Sequence, residues 1–347
     1  MITLSGRVLS TAVGVVVLAT GSIAGPASAD TRKLIFDVFI PSRAPLNKVG
    51  MGGFAKEVGK LSGGTLELSI PTTPLGPPPR IFDLVEDGVA DLALAPVIYR
   101  GNKITLPLIN DLPFLAKSAV TASVATWKTH KKYFEDAKQW GPIMPIAIFT
   151  HGDEQFVMKS KAVKAIADLR GVKIVAPSRL HAARIKSLGS VPVGAPAIKM
   201  FELINGGVAD GIIVPLGPAF YQGLVGVAKN VTLVPGGVSR PAFSVIINRK
   251  VFEGLTAKQQ NAIMVAGGEK YAARLGGITQ AEGEFGFGKF KEAGAGIAAA
   301  SPQLMAEIRK RLAFIEADWL KSARKAGIDG PAALAHYRGI VAKMESK

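Results

Sequence analysis

A stretch of seventeen residues occurs twice in this chain, and that repetition leaves it few architectures. Arg80 to Pro96 reads RIFDLVEDGVADLALAP, and Lys199 to Pro215 reads KMFELINGGVADGIIVP. Seven of the seventeen positions are identical, and the others include Arg/Lys, Asp/Glu, Ile/Met and Val/Ile exchanges. Each copy presents a helical run, a Gly-Val-Ala-Asp turn, a short apolar strand and a closing proline. The copies lie 119 residues apart, against about 20–50 for the period of a solenoid. The spacing predicts two similar α/β lobes with any ligand cleft between them.

The residues before the second copy extend the pattern. Val172 to Ala176 is a short apolar run that stops at Pro177, as a buried strand does. Ala182, Ile185, Lys186 and Leu188 then suit a helix ended by Gly189. Val191 to Val193 reads as a strand, followed by a helix closing at Gly206-Gly207 and a strand at Ile212 to Val214. Strands alternating with helices of this length indicate parallel β-α units. Near the start, Lys33 to Ile40 is apolar enough for a strand buried on both faces. Leu66, Leu68 and Ile70 alternate as a second strand, and Ile143 to Phe149 reads as a strand able to cross between lobes.

The C-terminal third is helical. Thr256-Ala257-Lys258-Gln259 has a capping-box pattern, so a helix should begin there. Its Gly267-Gly268 and Gly276-Gly277 pairs predict a bend or close packing. Ser301-Pro302 opens a further helix, whose apolar stripe is Leu304, Ile308, Leu312, Ile315 and Trp319, with Gly327 ending it.

Composition narrows the class. Arg7, the mostly apolar run Val8 to Ile23 and Ala27-Ser28-Ala29 form a secretory signal, with cleavage expected after Ala29. The competing reading, a membrane anchor, is disfavoured by a run short and rich in Gly, Ser and Thr. The mature chain is therefore expected to be exported to the periplasm, with no permanent membrane anchor. The 347 residues carry 42 Lys and Arg against 26 Asp and Glu, and no cysteine. Removing Arg7 leaves 41 against 26, a formal charge of +15. The basic residues are spread along the chain without interleaved aromatics, which argues against nucleic acid and for a solvated surface. Without cysteine there are no disulfides, thiolate metal sites or Cys nucleophiles. The four histidines (His130, His151, His181, His336) lack metal-ligand spacing and read as surface or packing residues. Gly283 to Lys289 imitates a phosphate loop, but Phe290 stands where Ser or Thr would hold magnesium, and no strand precedes it. No nucleophile elbow or paired carboxylates stand out, so neither an enzyme, a metal nor a cofactor is expected.

An ordered series of segments carries a family resemblance. FAKEV and SGGTLEL are followed by PLGP, DGVADLAL, DLPFL, ADLRGVKI, LGSVPV, the second GVADG and SVIINRKVFEGL. In this order they resemble the DctP-like solute-binding proteins of tripartite ATP-independent periplasmic (TRAP) transporters, over nearly the whole mature chain up to the C-terminal helices. The resemblance implies a type II periplasmic-binding-protein fold: two α/β lobes, a hinge of crossing strands and a long bracing helix. On that basis lobe I takes residues 30–152 plus 242–280, and lobe II takes 153–241 plus 281–347, with 1–29 as the signal peptide. It also implies capture of a small-molecule ligand, usually an organic acid, for delivery to the small and large subunits of a TRAP membrane permease. A periplasmic sensor that presents its ligand to a membrane-bound signalling receptor is the alternative.

The sequence departs from the family where the ligand is held. The family's carboxylate-clamping arginine, in G-x-K-I-R, falls at Val175. Its D-G-x-x-N-P asparagine falls at Val214, and a second arginine aligns near Gln155. Either Arg179 supplies the cation from a shifted position, or the ligand is neutral or largely apolar, since an unpaired carboxylate is costly to desolvate. The candidate ligand-binding residues are Ser42 and Arg43, Thr72 and Thr73, and Pro96 and Tyr99 in the first lobe. The other lobe offers His151, Glu154, Gln155, Val175, Ser178, Arg179 and Val214, with Phe243 closing over the ligand.

Overall fold

In the computed structural model, residues 1–3 and 31–346 are described, so the expected signal peptide and its cleavage site lie outside the described residues. Strands β1 (Arg32–Asp37), β2 (Leu66–Ser69), β3 (Leu92–Pro96) and β4 (Ile143–Thr150) belong to one sheet. Strands β5 (Glu154–Met158), β6 (Lys173–Ala176), β7 (Val191–Gly194), β8 (Gly211–Pro215) and β9 (Asn230–Leu233) belong to a second. The chain returns to the first sheet with β10 (Ala242–Asn248) and to the second with β11 (Gly296–Ala299). The spatial orders are β2-β1-β3-β10-β4 and β11-β9-β5-β8-β6-β7. Helices α1 (Gly52–Leu61), α2 (Ile81–Glu86) and α3 (Ala119–Thr129) connect strands of the first sheet. Within the second lie α4 (Arg179–Ser187), α5 (Met200–Asn205) and α6 (Leu216–Tyr221). After β10 come α7 (Arg249–Glu253), α8 (Ala257–Ala266), α9 (Gly268–Glu292), α10 (Pro302–Lys325) and α11 (Gly330–Glu345). This is the two-sheet α/β architecture expected from the repeat.

The repeat is a hydrogen-bonding device used once in each sheet. After α2 and after α5 the chain turns through Gly88 and Gly207, both at φ 74°, a conformation that glycine adopts without strain. Val89 N–H bonds the Leu84 carbonyl at 2.9 Å, and Val208 N–H bonds Leu203 at 2.9 Å. The aspartate closes the motif. Asp91 Oδ2 accepts the Ile35 N–H at 2.7 Å, and Asp210 Oδ2 accepts the Lys173 N–H at 2.8 Å. Each carboxylate thus pins its strand to the parallel neighbour, β3 to β1 and β8 to β6, and the alanine before it is fully buried. Each strand also has an antiparallel partner returning from the other sheet, β10 and β5 respectively.

Caps behave as their residues dictate. The Thr256 hydroxyl accepts from Gln259 N–H, and the Gln259 side chain accepts from Thr256 N–H. The helix so begun does not bend at Gly267-Gly268; it ends there, and Gly268 at φ 70° starts a new one. That new helix, α9, spans 25 residues, about 37 Å at 1.5 Å per residue. Its Tyr271 and Leu275 lie in the core of the first sheet, and its Phe290 lies in an apolar cluster on the second. Two of its glycines mark where neighbours come close. A Cβ on Gly276 would lie 2.6 Å from the Ala119 carbonyl oxygen, and one on Gly286 2.3 Å from that of Leu216. Gly283 and Gly288, the glycines of the phosphate-loop imitation, sit inside this helix.

One sequence expectation needs correcting. The first strand stops at Asp37, three residues early, and residues 38–40 run on outside the ladder. The segment from Leu106 to Phe134 buries Leu106, Ile109, Leu112 and Phe134 in the same core as Phe156 and Ile213 of the second sheet, and Trp127 in the core of the first. The apolar face of the segment completes a layer with α10 and α11. None of the helices among the described residues is long and apolar enough to cross a membrane.

Candidate functional site

The C-terminal ends of strands in both sheets converge on one shared space, where open α/β sheets place their ligands. Register puts equivalent residues there: Phe243 stands opposite Pro96 in the first sheet, and Glu154 opposite Pro215 in the second. Both repeat-closing prolines, Pro96 and Pro215, line the cavity, which measures about 90 Å³. A second space of about 100 Å³ shares Phe39, His151, Ile198, Met200, Pro218 and Phe243 with it and reaches Glu282. A wider recess of about 400 Å³ adjoins through Ile98, Tyr99 and Pro177.

Rings form much of the wall. Phe39 and Phe243 stack with centroids 6.4 Å apart and planes 17° apart, and His151 meets Phe243 edge-on at 4.6 Å. His151 is 4 % exposed, and its Nδ1 has no hydrogen-bond partner among the described residues. Burial pushes its imidazole down to about 4, so it is neutral in the folded protein near pH 7. Burial also raises the Tyr99 phenol, against the opposing backbone N–H of Ala197 from the other sheet.

Behind the wall lies a buried charge network that sequence reading missed. Arg184, fully buried on α4, donates to Glu154 Oε2 at 2.7 Å and to Asp111 Oδ1 at 3.0 Å. Glu154 Oε1 meets His181 Nε2 at 3.2 Å, and the Ser239 hydroxyl donates to Oε2. His181 Nδ1 meets the Ser178 hydroxyl at 2.8 Å, the same oxygen that caps α4. Burial works to raise the Glu154 carboxyl, but His181, Arg184 and Ser239 together hold it below its ordinary value. Burial wins at Asp111, which is raised despite Arg184. Glu154 lines the cavity, while Arg184 sits behind it. Glu282 is a second carboxyl at the wall, 3 % exposed. Burial pushes it up to about 7, although its Oε1 accepts the Leu46 N–H at 2.9 Å.

The structure gathers Pro96, Tyr99, His151, Glu154, Val214 and Phe243 around the cavity. It places the other candidates elsewhere. Ser42 and Arg43 are exposed, and Arg43 donates to the Tyr221 carbonyl at 3.1 Å, bridging the two sheets at the rim. Thr72 and Thr73 are exposed in the loop after β2. Gln155 points to the opposite face of β5 from Glu154 and holds the backbone of Val234. Val175 is 1 % exposed inside the apolar cluster of the second sheet and does not line the cavity. Ser178 and Arg179 line the adjoining recess, with Arg179 exposed. His181, dismissed by sequence, lines the cavity. Phe39, Ile198, Met200 and Glu282 were missed, and no local motif marks them. The N-terminal cap at Ser178 was the one available signal, since it orients the turn that carries His181.

Comparison with known proteins is consistent across the chain. The family described as bacterial extracellular solute-binding protein, family 7 (DctP), matches residues 42–321. A TRAP periplasmic solute-binding protein from Bordetella bronchiseptica, solved with (R)- and (S)-mandelate bound, is similar at 27% identity. It covers 90% of this chain and 99% of its own, with a TM-score of 0.87. A marine metagenome TRAP solute-binding protein specific for aromatic acid ligands, in complex with metahydroxyphenylacetate, is 27% identical, with coverage of 90% and 98% and a TM-score of 0.82. The outer membrane transporter protein TsaT of Comamonas testosteroni is 24% identical over 317 residues, 90% of this chain and 93% of that protein.

Proposed function

Because the chain belongs to bacterial extracellular solute-binding family 7, whose members are periplasmic solute receptors, we propose that it is exported, loses residues 1–29, and captures a small ring-containing organic molecule between its two sheets. It then delivers that molecule to the small and large subunits of a TRAP membrane permease. The observation that carries this reading is the shared cavity itself. It is small, lined from both sheets, and walled by Phe39, Phe243 and the edge of His151. Stacked and edge-on rings at these distances are the contacts that hold another ring. The mandelate and metahydroxyphenylacetate bound by two relatives are ring compounds.

Capture follows from the chain crossing between the sheets at residues 151–153 and 234–241. Two rigid layers joined by such crossings rotate about them, and a ligand touching both layers favours the closed arrangement. Arg43 reaching the Tyr221 carbonyl is a contact that such closure strengthens. The test is mass spectrometry of the mature protein prepared gently from its native host. A single ring compound recovered at about one per chain is the expected result. Preparations that carry no small molecule, and that show no thermal shift with any ring compound offered, contradict the reading.

A further inference from the structure

We infer that the cavity selects an uncharged ring compound over a carboxylate: Glu154 at its wall turns acids away, and the His151 imidazole takes the ligand's polar group. The inference rests on the proposed receptor function and deepens it by naming the charge of the ligand.

Among the described residues, the lining of the cavity and its extension contains no lysine and no arginine. Its ionisable residues are two carboxyls, Glu154 and Glu282, two histidines, His151 and His181, and two phenols, Tyr99 and Tyr221. Arg184 does not reach the space. Both Nη atoms are committed to Glu154 and Asp111, and the Glu154 carboxylate stands between it and the cavity. A carboxylate ligand would give up its water with no lysine or arginine to meet it, the His181 imidazole being already committed to Glu154, and would meet a like charge. Val175 cannot supply the missing clamp, because it is packed among apolar side chains. Two other cations lie outside the space: Arg43 is held at the rim by Tyr221, and Arg179 is exposed in the adjoining recess. A repulsive element of this kind gives selectivity that contacts alone do not.

His151 gives the positive half of the argument. Its ring is nearly fully buried against Phe243 and lines both spaces, yet Nδ1 has no partner among the described residues. A buried polar atom without a partner is costly unless something completes it. A neutral imidazole offers one donor and one acceptor, which suits an amide, alcohol or phenol group on a ring.

The test is calorimetric titration of the mature protein, freed of small molecules, with three matched pairs: benzoate and benzamide, phenylacetate and phenylacetamide, mandelate and mandelamide. At least one amide is expected to bind tenfold or more tightly than its acid. Glu154→Gln is expected to narrow that gap by strengthening the acid. His151→Phe, which keeps a ring in the wall, is expected to weaken the amide tenfold or more with little change in melting temperature. If Glu154→Gln does not fold, the wild-type pairs and His151→Phe still decide the matter. An acid bound as tightly as its amide overturns the inference and leaves the receptor function standing. So does an acid whose binding is lost in Arg179→Ala, or amide binding untouched by His151→Phe. Failure of all six compounds to bind overturns the ring-compound reading itself, and the inference with it.

Discussion

Arg184→Ala is expected to lower the free energy of unfolding by about 3–5 kcal/mol, because it leaves two buried carboxyl groups without their shared cation. Arg184, Glu154 and Asp111 all have almost no exposed side-chain surface, so water cannot replace the guanidinium. The network also ties separate parts of the chain: Asp111 precedes α3, Glu154 opens β5, and Arg184 is on α4. Denaturant unfolding of wild type and variant measures the loss. The deficit should shrink at acid pH, since both carboxyls can then be protonated and an uncharged acid needs no cation. Adding Glu154→Gln to Arg184→Met should recover part of the loss, as the buried charge disappears with its partner. A variant within about 1 kcal/mol of wild type, the level of an exposed ion pair, would show that the network does not hold these segments together.

The second large effect is linked to pH. Glu282 is pushed up to about 7 from an ordinary value of 4.5. An acid with a raised folded value binds more protons folded than unfolded between those two points. Stability due to this group is therefore present below pH 4.5 and is lost as pH rises through 7. The difference corresponds to about 3 kcal/mol, at 1.36 kcal/mol per pKa unit. Glu282→Gln keeps an oxygen for the Leu46 N–H and cannot ionise. It should match wild type at pH 4 and exceed it at pH 8 by about 3 kcal/mol, or roughly 5 °C in melting temperature for a protein of this size. His151 works in the opposite direction, since its lowered value loses stability as pH falls from 6.5 to about 4. The variant-minus-wild-type difference cancels that contribution. Equal melting temperatures for the two proteins at pH 8 would contradict the burial argument.

What could be read from the sequence was local or periodic. The Gly-Val-Ala-Asp turn was legible because glycine, alanine and aspartate each meet a separate demand within four residues: a left-handed φ, a buried small side chain and a strand-pinning carboxylate. The box at Thr256 and the cap at Ser301 were legible for the same reason. The stripe from Leu304 to Trp319 was legible through its period, and all five residues are buried. The charge network was not legible, because Asp111, Glu154, Arg184 and Ser239 come from four distant segments and share no spacing. Thr72 and Thr73 were chosen for following a strand, but the loop carries them into solvent. Val175 carried information by what it is not. Its apolar side chain joins the core, and with it the cavity lacks the expected cation.

Hydrogen–deuterium exchange of the mature protein, with and without its identified ligand, tests most directly whether the solute sits between the two sheets. Exchange reports local opening, and a bound ligand suppresses it where it touches or clamps the chain. Protection is expected on both sides of the cavity at once: residues 38–41, 96–100, 149–151 and 241–244 from one sheet, and 177–182, 197–200 and 212–218 from the other. The exposed faces of α1 and α10 should be unchanged. Protection confined to one sheet, or centred away from His151 and Phe243, would contradict the account.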